Sequence, residues 1–207
     1  MTWNDTVFML PEIVIALGAS LLLCLPVLGA RRDPGMAKWW TLAILALTAA
    51  AVLFSSHRVV HLGQSHGFAA MFALDSFAIF FKMLFIATIA LVVILSDEYL
   101  LTSRYSPWEY YSLLAFALCG MMFMASGTHL ISIYIGLELL SLSSYVLAGY
   151  FKTEEKSTEA AMKYFVLGAV SSGILLYGLS LIYGVCGSLN LYRVADAMST
   201  TVANDAL

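Results

Sequence analysis

The 207-residue sequence is poor in charge: only 11% of its residues are Asp, Glu, Lys or Arg, while 61% are hydrophobic. A typical soluble domain is about 25% charged and about 45–50% apolar. Water therefore cannot be the solvent for most of this chain. The net charge of −3 also provides no basic field for nucleic acid, so we expect no nucleic-acid partner.

Cysteine and cofactor-binding motifs are equally sparse. The three cysteines, Cys24, Cys119 and Cys186, lie in apolar runs and are odd in number, which favours packing residues over disulfides or metal ligands. The four histidines do not form a predicted metal cluster either, because His57, His61 and His66 share one predicted loop while His129 starts a later helix. There is no glycine-rich phosphate loop and no paired CxxC motif. We therefore predict that this chain binds no metal and no cofactor.

The N-terminal segment MTWNDTVFMLPE contains no Lys or Arg. It lacks the basic region of a signal peptide, and the apolar run that follows is too long for one and has no clear cleavage signal. We interpret that run as an uncleaved first membrane span.

The apolar runs predict an all-α fold, a polytopic transmembrane bundle of about six helices. Each run is continuous, not alternating, and most approach the roughly 20 residues that a helix needs to cross a bilayer. The Gly127–His129 break divides one overlong run into two helices. The predicted spans are Ile13–Ala30, Trp39–His57, Phe72–Ser96, Tyr110 to Gly127, His129–Tyr150 and Ala160–Gly187. Polar loops are predicted at Asp97–Glu109 and Lys152–Glu159, and Arg193–Leu207 is a short polar tail.

The distribution of basic residues predicts the orientation. Loops after the first, third and fifth helices hold six of them, whereas the other side holds two, Arg58 and Arg193. Positive charge collects on the cytoplasmic side, so we expect both ends of the sequence outside the cytoplasm. The six are Arg31, Arg32, Lys38, Arg104, Lys152 and Lys156.

Three charged residues fall clearly inside predicted spans: Lys82, Glu138 and Lys163. A charge at a helix centre costs about 2.5–3.5 kcal/mol on the insertion scale, so such residues are candidates for function. Glu12 and Asp75 lie at span edges, where we expect their carboxylates to reach lipid headgroups.

Glu138 is the strongest candidate. It lies nine residues beyond His129, about 13.5 Å into the membrane. Tyr134, Ser141 and Tyr145 follow the helical spacing that puts them on the same face. This polar face is expected to look toward protein or internal water, where Glu138 could take up and release a proton. The alternative is a structural carboxyl that only joins helices.

The two lysines have competing interpretations. Lys82, about ten residues into the third span, is either a proton-pathway residue or half of an interhelical ion pair. Lys163 lies about one turn into the sixth span and about 12 Å shallower than Glu138, which argues against a direct salt bridge. We predict a proton relay between Lys163 and Glu138 through water or another side chain.

The fifth and sixth spans resemble a known family. IYIGLELLSLSSYVL at 133–147, EAAMKYFVLGA at 159–169 and SSGILLYG at 171–178 resemble subunit N of bacterial NADH–quinone oxidoreductase, respiratory complex I. The third span, with DSF at 75–77 and FFK at 80–82, is also similar. The resemblance covers nearly the whole chain, and the subunit is one of the antiporter-like membrane proteins.

The resemblance implies a roughly fourteen-helix fold with two inverted repeats after three initial helices. Residues 1–107 would be the three initial helices, and residues 108–207 the first three helices of the first repeat. It implies that Glu138 and Lys163 are proton-pathway residues, and Lys82 is a third candidate because many family members also have lysine there. NADH, flavin, iron–sulfur clusters and quinone would be bound by other subunits, which would be this chain's partners in a bacterial plasma membrane.

One feature of the family is missing from the sequence. The family's seventh helix is broken and carries a lysine that partners the glutamate, and the sequence ends before it. We therefore expect an N-terminal portion of a longer protein. Two rival functions remain: a subunit of a multisubunit sodium/proton antiporter, and a structural membrane subunit whose polar residues only hold helices together.

Overall fold

The computed structural model of the chain describes residues 7–28, 34–62, 66–67, 71–101 and 105–205. This part of the chain is helical apart from one two-stranded hairpin, which agrees with the all-α prediction. The helices are α1 Leu10–Cys24, α2 Pro34–Leu62, α3 Ser76–Leu95, α4 Asp97–Leu101, α5 Pro107–Ser126, α6 Leu130–Ala148, α7 Glu155–Cys186 and α8 Leu191–Asp205. The strands are β1 His66–Gly67 and β2 Phe72–Ala73, antiparallel, with His66 opposite Ala73 and Gly67 opposite Phe72.

Five of these helices, α2, α3, α5, α6 and α7, are long and apolar enough to cross a membrane. The first helix is apolar but shorter than predicted, because α1 ends at Cys24 after 15 residues and a turn follows. At 1.5 Å per residue α1 is about 22 Å long. The remainder of the predicted first span, Gly29 and Ala30, lies outside the described residues.

Several predicted loops are helical in the structure. The loop predicted at Asp97–Glu109 contains α4 and the start of α5, and α7 begins at Glu155 inside another predicted loop. Helix α2 continues to Leu62, past the predicted end at His57, and most of the polar tail forms α8. The predicted boundaries of α2 and α7 were wrong because the charged residues next to them, Arg58 and Glu159, were assigned to loops. A helix that extends beyond the bilayer accommodates charge, and acidic residues in the first turn stabilise it.

The six long or apolar helices alternate in direction between two ends of the bundle. At the hairpin end, which holds β1, β2 and the Gly127–His129 link, three segments join through backbone hydrogen bonds. Thr128 N donates to Met71 O at 3.0 Å, Leu130 N to Leu189 O at 2.9 Å, and Leu191 N to Thr128 O at 3.0 Å. The link therefore sets where α5 ends and α6 begins.

The opposite end, here called the tyrosine end, holds Tyr105, Tyr110 and Tyr150, whose rings contact one another at centroid distances of 5.4–5.6 Å. The Tyr150 hydroxyl donates to Ser106 O at 2.5 Å. Burial raises the pKa of this phenol. Lys38 and Asp97 add an ion pair of 2.8 Å at the same end.

Helix α5 is the centre of the bundle. In its most apolar 18-residue window 56% of the residues are buried, against 6% for α7. Trp108, Tyr111, Leu118 and Met122 of α5 belong to the core that it forms with α1, α2 and α3. On its other side α5 crosses α6 closely, because a Cβ added at Gly120 would lie only 2.5 Å from Gly136 O. Small residues permit this approach of helix backbones in lipid.

Candidate proton-transfer site

The carboxylate of Glu138 lies in the middle of α6 and contacts α7. Ser172 Oγ donates to Glu138 Oε1 at 2.5 Å. The Tyr134 hydroxyl, one turn earlier on α6, lies near Glu138. Glu138 is only partly buried among the described residues. The carboxylate thus has two hydroxyl neighbours and remains reachable from outside the bundle.

A cleft of about 310 Å³, called the polar cleft here for the hydroxyl groups in its lining, lies between α6 and α7 and reaches Ser172, the donor to Glu138. Its lining combines hydroxyl groups with small and aliphatic residues: Leu137, Ser141, Tyr145, Gly168, Ser171, Ser172 and Leu175. Ser141 and Tyr145 belong to the α6 face that the spacing predicted around Glu138. A cleft of this size that contains several hydroxyl groups has the room and the partners that water requires.

The contact between α6 and α7 depends on a glycine opposite Tyr145. A Cβ added at Gly168 would overlap the Tyr145 hydroxyl. Next to this contact Tyr145 packs edge-on against Tyr164 and Phe165, with centroid distances of 4.8 Å and 5.8 Å. The absence of a side chain at Gly168 lets α7 approach α6, and Ser172 follows one turn later.

Lys163 lies on a different side of α7. At 100° per residue it is about 180° around the helix from Ser172 and about 140° from Gly168. Its Nζ lies 2.5 Å from Glu159 Oε1, and the two side chains are 70% and 58% exposed. Lys163 also lines a shallow apolar groove with Met162, Val166 and Leu167. The described residues therefore do not bring Lys163 and Glu138 together.

Lys82 belongs to a separate cluster near the hairpin end. Its side chain is fully buried, and Nζ lies 2.5 Å from Oε1 of Glu12, which is 2% exposed. Ser126 Oγ, at the end of α5, lies 3.2 Å from the same Glu12 oxygen. The cluster joins α1, α3 and α5. The interhelical ion pair that was one interpretation of Lys82 is therefore present.

The expected headgroup contact of Glu12 was wrong, whereas that of the exposed Asp75 stays a prediction. Glu12 points into the bundle toward Lys82, and its second oxygen, Oε2, is buried without a hydrogen-bond partner among the described residues. Asp75 caps α3, where its carboxylate accepts from Ala78 N at 2.8 Å. A carboxylate at this position satisfies a free N–H of the first helical turn.

Lys82 is also shallower than predicted. Because α3 begins at Ser76, Lys82 is six residues from its start, about 9 Å along the axis. Sequence reasoning missed Glu12 as its partner because nothing local connects two residues on helices so far apart in the chain. Within the described ranges, no group of three or more His, Cys, Asp or Glu side chains could hold a metal ion.

Comparison with known proteins places the Glu138 region in a described family. The family model "NADH:quinone oxidoreductase/Mrp antiporter, TM" matches residues 127–206, which include Glu138, Ser172 and Lys163. Subunit N 2 of NADH-quinone oxidoreductase from Rhizobium meliloti is 43% identical over 95% of this chain and 40% of its own length. Subunit N of the enzyme from Trichlorobacter lovleyi is 39% identical over 96% of this chain and 39% of its own length.

Solved structures show the same fold. A chain of respiratory complex I from Thermus thermophilus superposes with a TM-score of 0.70 at 32% identity, over 87% of this chain and 38% of that one. A chain of the archaeal membrane-bound sulfane sulfur reductase gives a TM-score of 0.69 at 24% identity, over 93% of this chain and 39% of that one. The sequence thus spans about 40% of the length of the relatives it matches.

Proposed function

The chain belongs to the antiporter-like membrane subunits of NADH–quinone oxidoreductases, and from this we propose that it is part of the membrane arm of a proton-pumping respiratory complex I. In this role it takes part in proton translocation coupled to NADH oxidation and quinone reduction. The relatives that carry this name match almost the whole chain, which supports the assignment.

The observation that carries the proposal is the position of Glu138 beside the polar cleft, inside the segment that the family model matches. A proton carrier needs a group that is stable in both protonation states and a path for the proton. Ser172 Oγ hydrogen-bonds the Glu138 carboxylate, and further hydroxyl groups of α6 and α7 line the adjoining cleft, which gives a proton a path from the carboxylate.

Lys163 is the second residue of the proposed pathway. Lys163 lies on the opposite side of α7 from Glu138. A proton can therefore pass between them only through water, or through groups of other helices or subunits that cover the exposed side of α7. The apolar groove around Lys163 supports a covered environment in the assembled protein. Lys82 remains a candidate for the pathway, but its sealed ion pair with Glu12 favours a structural role.

The proposal extends to the surroundings of the chain. Other subunits bind NADH, flavin, iron–sulfur clusters and quinone, and this chain has no redox site of its own. Its partners are the neighbouring membrane subunits and the bilayer of a bacterial plasma membrane. The proposed orientation has the N-terminus outside the cytoplasm, and the start of α1 lies at the hairpin end.

The test is the Glu138→Gln variant of the full-length subunit in the intact complex, with assembly checked by native gel. We expect normal assembly, a large loss of proton pumping and reduced coupled NADH–quinone turnover. The amide keeps the shape of the carboxyl but cannot take up and release a proton. Glu98→Gln, which changes an exposed carboxylate on α4, is the matched control and should pump normally. Normal pumping by both variants would reject the proposal.

The family description names a second candidate, because it covers the Mrp antiporters as well. A subunit of a sodium/proton antiporter would exchange cations without a redox partner. Reconstituted vesicles separate the two functions: proton uptake that requires a sodium gradient and no NADH supports the antiporter, whereas uptake that requires NADH and quinone supports the oxidoreductase.

A further inference from the structure

The hydroxyl groups of α7 show one exception to a regular pattern. Ser or Thr on a helix usually donates to a nearby backbone carbonyl. Thr158, Ser171 and Ser180 of α7 donate to carbonyls three or four residues earlier, and Ser157 donates to the backbone carbonyl of Ala148 at the end of α6. Of these five Ser and Thr residues, Ser172 alone donates to a side chain, that of Glu138 on α6.

From this contact we propose that Ser172 is a positioning residue for Glu138, which holds the carboxylate at the polar cleft and sets the pH range over which Glu138 takes up and releases a proton. The proposal rests on Glu138 being the proton carrier described above. Hydrogen bonds from a hydroxyl to a charged carboxylate are short, about 2.5–2.7 Å, and about twice as strong as neutral ones. The distance of 2.5 Å falls in that range.

Few other groups compete for this role. On α6 the neighbours of Glu138 along the same face are Tyr134, Ser141 and Tyr145. On α5, which packs against the other side of α6, the only charged residue is Glu109, near the tyrosine end. On α7, Lys163 points away from α6. Within the described part of the chain, Ser172 is thus the one donor to Glu138 that comes from a different helix.

The four-residue spacing of Gly168 and Ser172 on α7 explains how Ser172 reaches Glu138. Small residues four apart on a helix permit close packing of helices in lipid. Here Gly168 admits the Tyr145 hydroxyl, and the resulting approach brings Ser172 within reach of Glu138. A packing motif thereby places a functional hydrogen bond.

The experiment compares three variants in the intact complex: Ser172→Ala, Ser172→Thr and Ser171→Ala. Ser171 is a close control, because it lines the same cleft but donates to Leu167 O on its own helix. The readouts are the pH dependence of proton pumping and the infrared carbonyl band of protonated Glu138, assigned by its absence in Glu138→Gln.

We expect Ser172→Ala to move the pumping profile about one to two pH units higher, since the ionised carboxylate loses a donor. The Glu138 band should move as well. Ser172→Thr, which keeps the hydroxyl, should restore both readouts, and Ser171→Ala should match the unmodified complex. If Ser172→Ala does not assemble, Ser172→Cys, with a weak S–H donor, should give the same shifts.

Two results would overturn the proposal: a profile and band in Ser172→Ala that match those of Ser171→Ala, or a shift that Ser172→Thr does not reverse. Failure of the proposed function is a different result, in which Glu138→Gln pumps normally. The infrared band would then still report whether Ser172 contacts Glu138, so the two failures are distinguishable.

Discussion

Two carboxylates within the described residues, the buried Glu12 and the partly buried Glu138, have similar contacts and different surroundings. Each has one oxygen 2.5 Å from a donor on another helix, Lys82 for Glu12 and Ser172 for Glu138. Measured along their helices from the hairpin end, Lys82 and Glu138 lie at similar depths, about 9 and 12 Å. However, the Glu12–Lys82 pair is sealed among α1, α3 and α5, whereas Glu138 adjoins a polar cleft.

This difference indicates that burial of a charge within a membrane protein is not enough to suggest transport. A carrier must exchange its proton with something, and the sealed pair exposes neither partner. The pair instead joins three helices at the hairpin end, next to the link that positions α6. We therefore interpret Glu12 and Lys82 as a structural connection that supports the site, and Glu138 as the site itself.

The largest expected effect comes from breaking the sealed pair. Lys82→Met leaves Glu12 as an uncompensated buried charge, and the loss of one partner of such a pair costs about 3–5 kcal/mol of stability. We expect little assembled complex on a native gel. The double variant Glu12→Leu with Lys82→Met removes both charges and should regain most of the assembly and the pumping.

The double variant also tests whether the Glu12–Lys82 pair differs in function from Glu138. If it assembles but does not pump, the pair carries protons and the distinction between the two regions disappears. In that case Lys82 returns to the pathway that the resemblance suggested. Recovery of pumping together with assembly would assign the pair to structure alone.

A smaller effect is expected where α7 approaches α6. Gly168→Ala places a methyl group against the Tyr145 hydroxyl, and such overpacking typically costs about 1–3 kcal/mol. The helices should separate slightly, so the Ser172–Glu138 hydrogen bond lengthens and pumping falls. Gly173→Ala is the matched control, because nothing lies within 4 Å of a Cβ added there. The measurement is the pumping rate at equal amounts of assembled complex, and equal rates for both variants would contradict the close contact.

The fold class and the Glu138 face were predictable because both depend on local regularity. Long apolar runs specify membrane helices, and the spacing of Tyr134, Glu138 and Ser141 specifies one face. Partners across helices were not predictable. Neither Glu12 with Lys82 nor Ser172 with Glu138 leaves a local signal, since their contacts depend on how the helices pack. The domain division at residue 107 stays a prediction.

For Lys163, neither the depth along its helix nor the direction around it was predicted correctly. The sequence placed Lys163 one turn into its span, but α7 begins at Glu155, eight residues before it. The extra turns put Glu159 on the helix, where it pairs with Lys163. Which side of α7 faces α6 is decided by Gly168 and Tyr145, and this turns Lys163 to the opposite side.

The smallest effect on stability is expected at the Glu159–Lys163 pair, which is the exposed counterpart of the sealed pair. An exposed pair at this helical spacing contributes about 0.3–0.5 kcal/mol, so Glu159→Gln and Lys163→Gln should both assemble normally. Their activities should differ: Lys163→Gln should pump less, because it removes a proposed proton carrier, while Glu159→Gln should retain most pumping. Proton pumping per NADH oxidised is the measurement. Equal losses of pumping in the two variants would mean that Glu159 and Lys163 act together. Lys163 could then not be assigned as the proton carrier separately from Glu159.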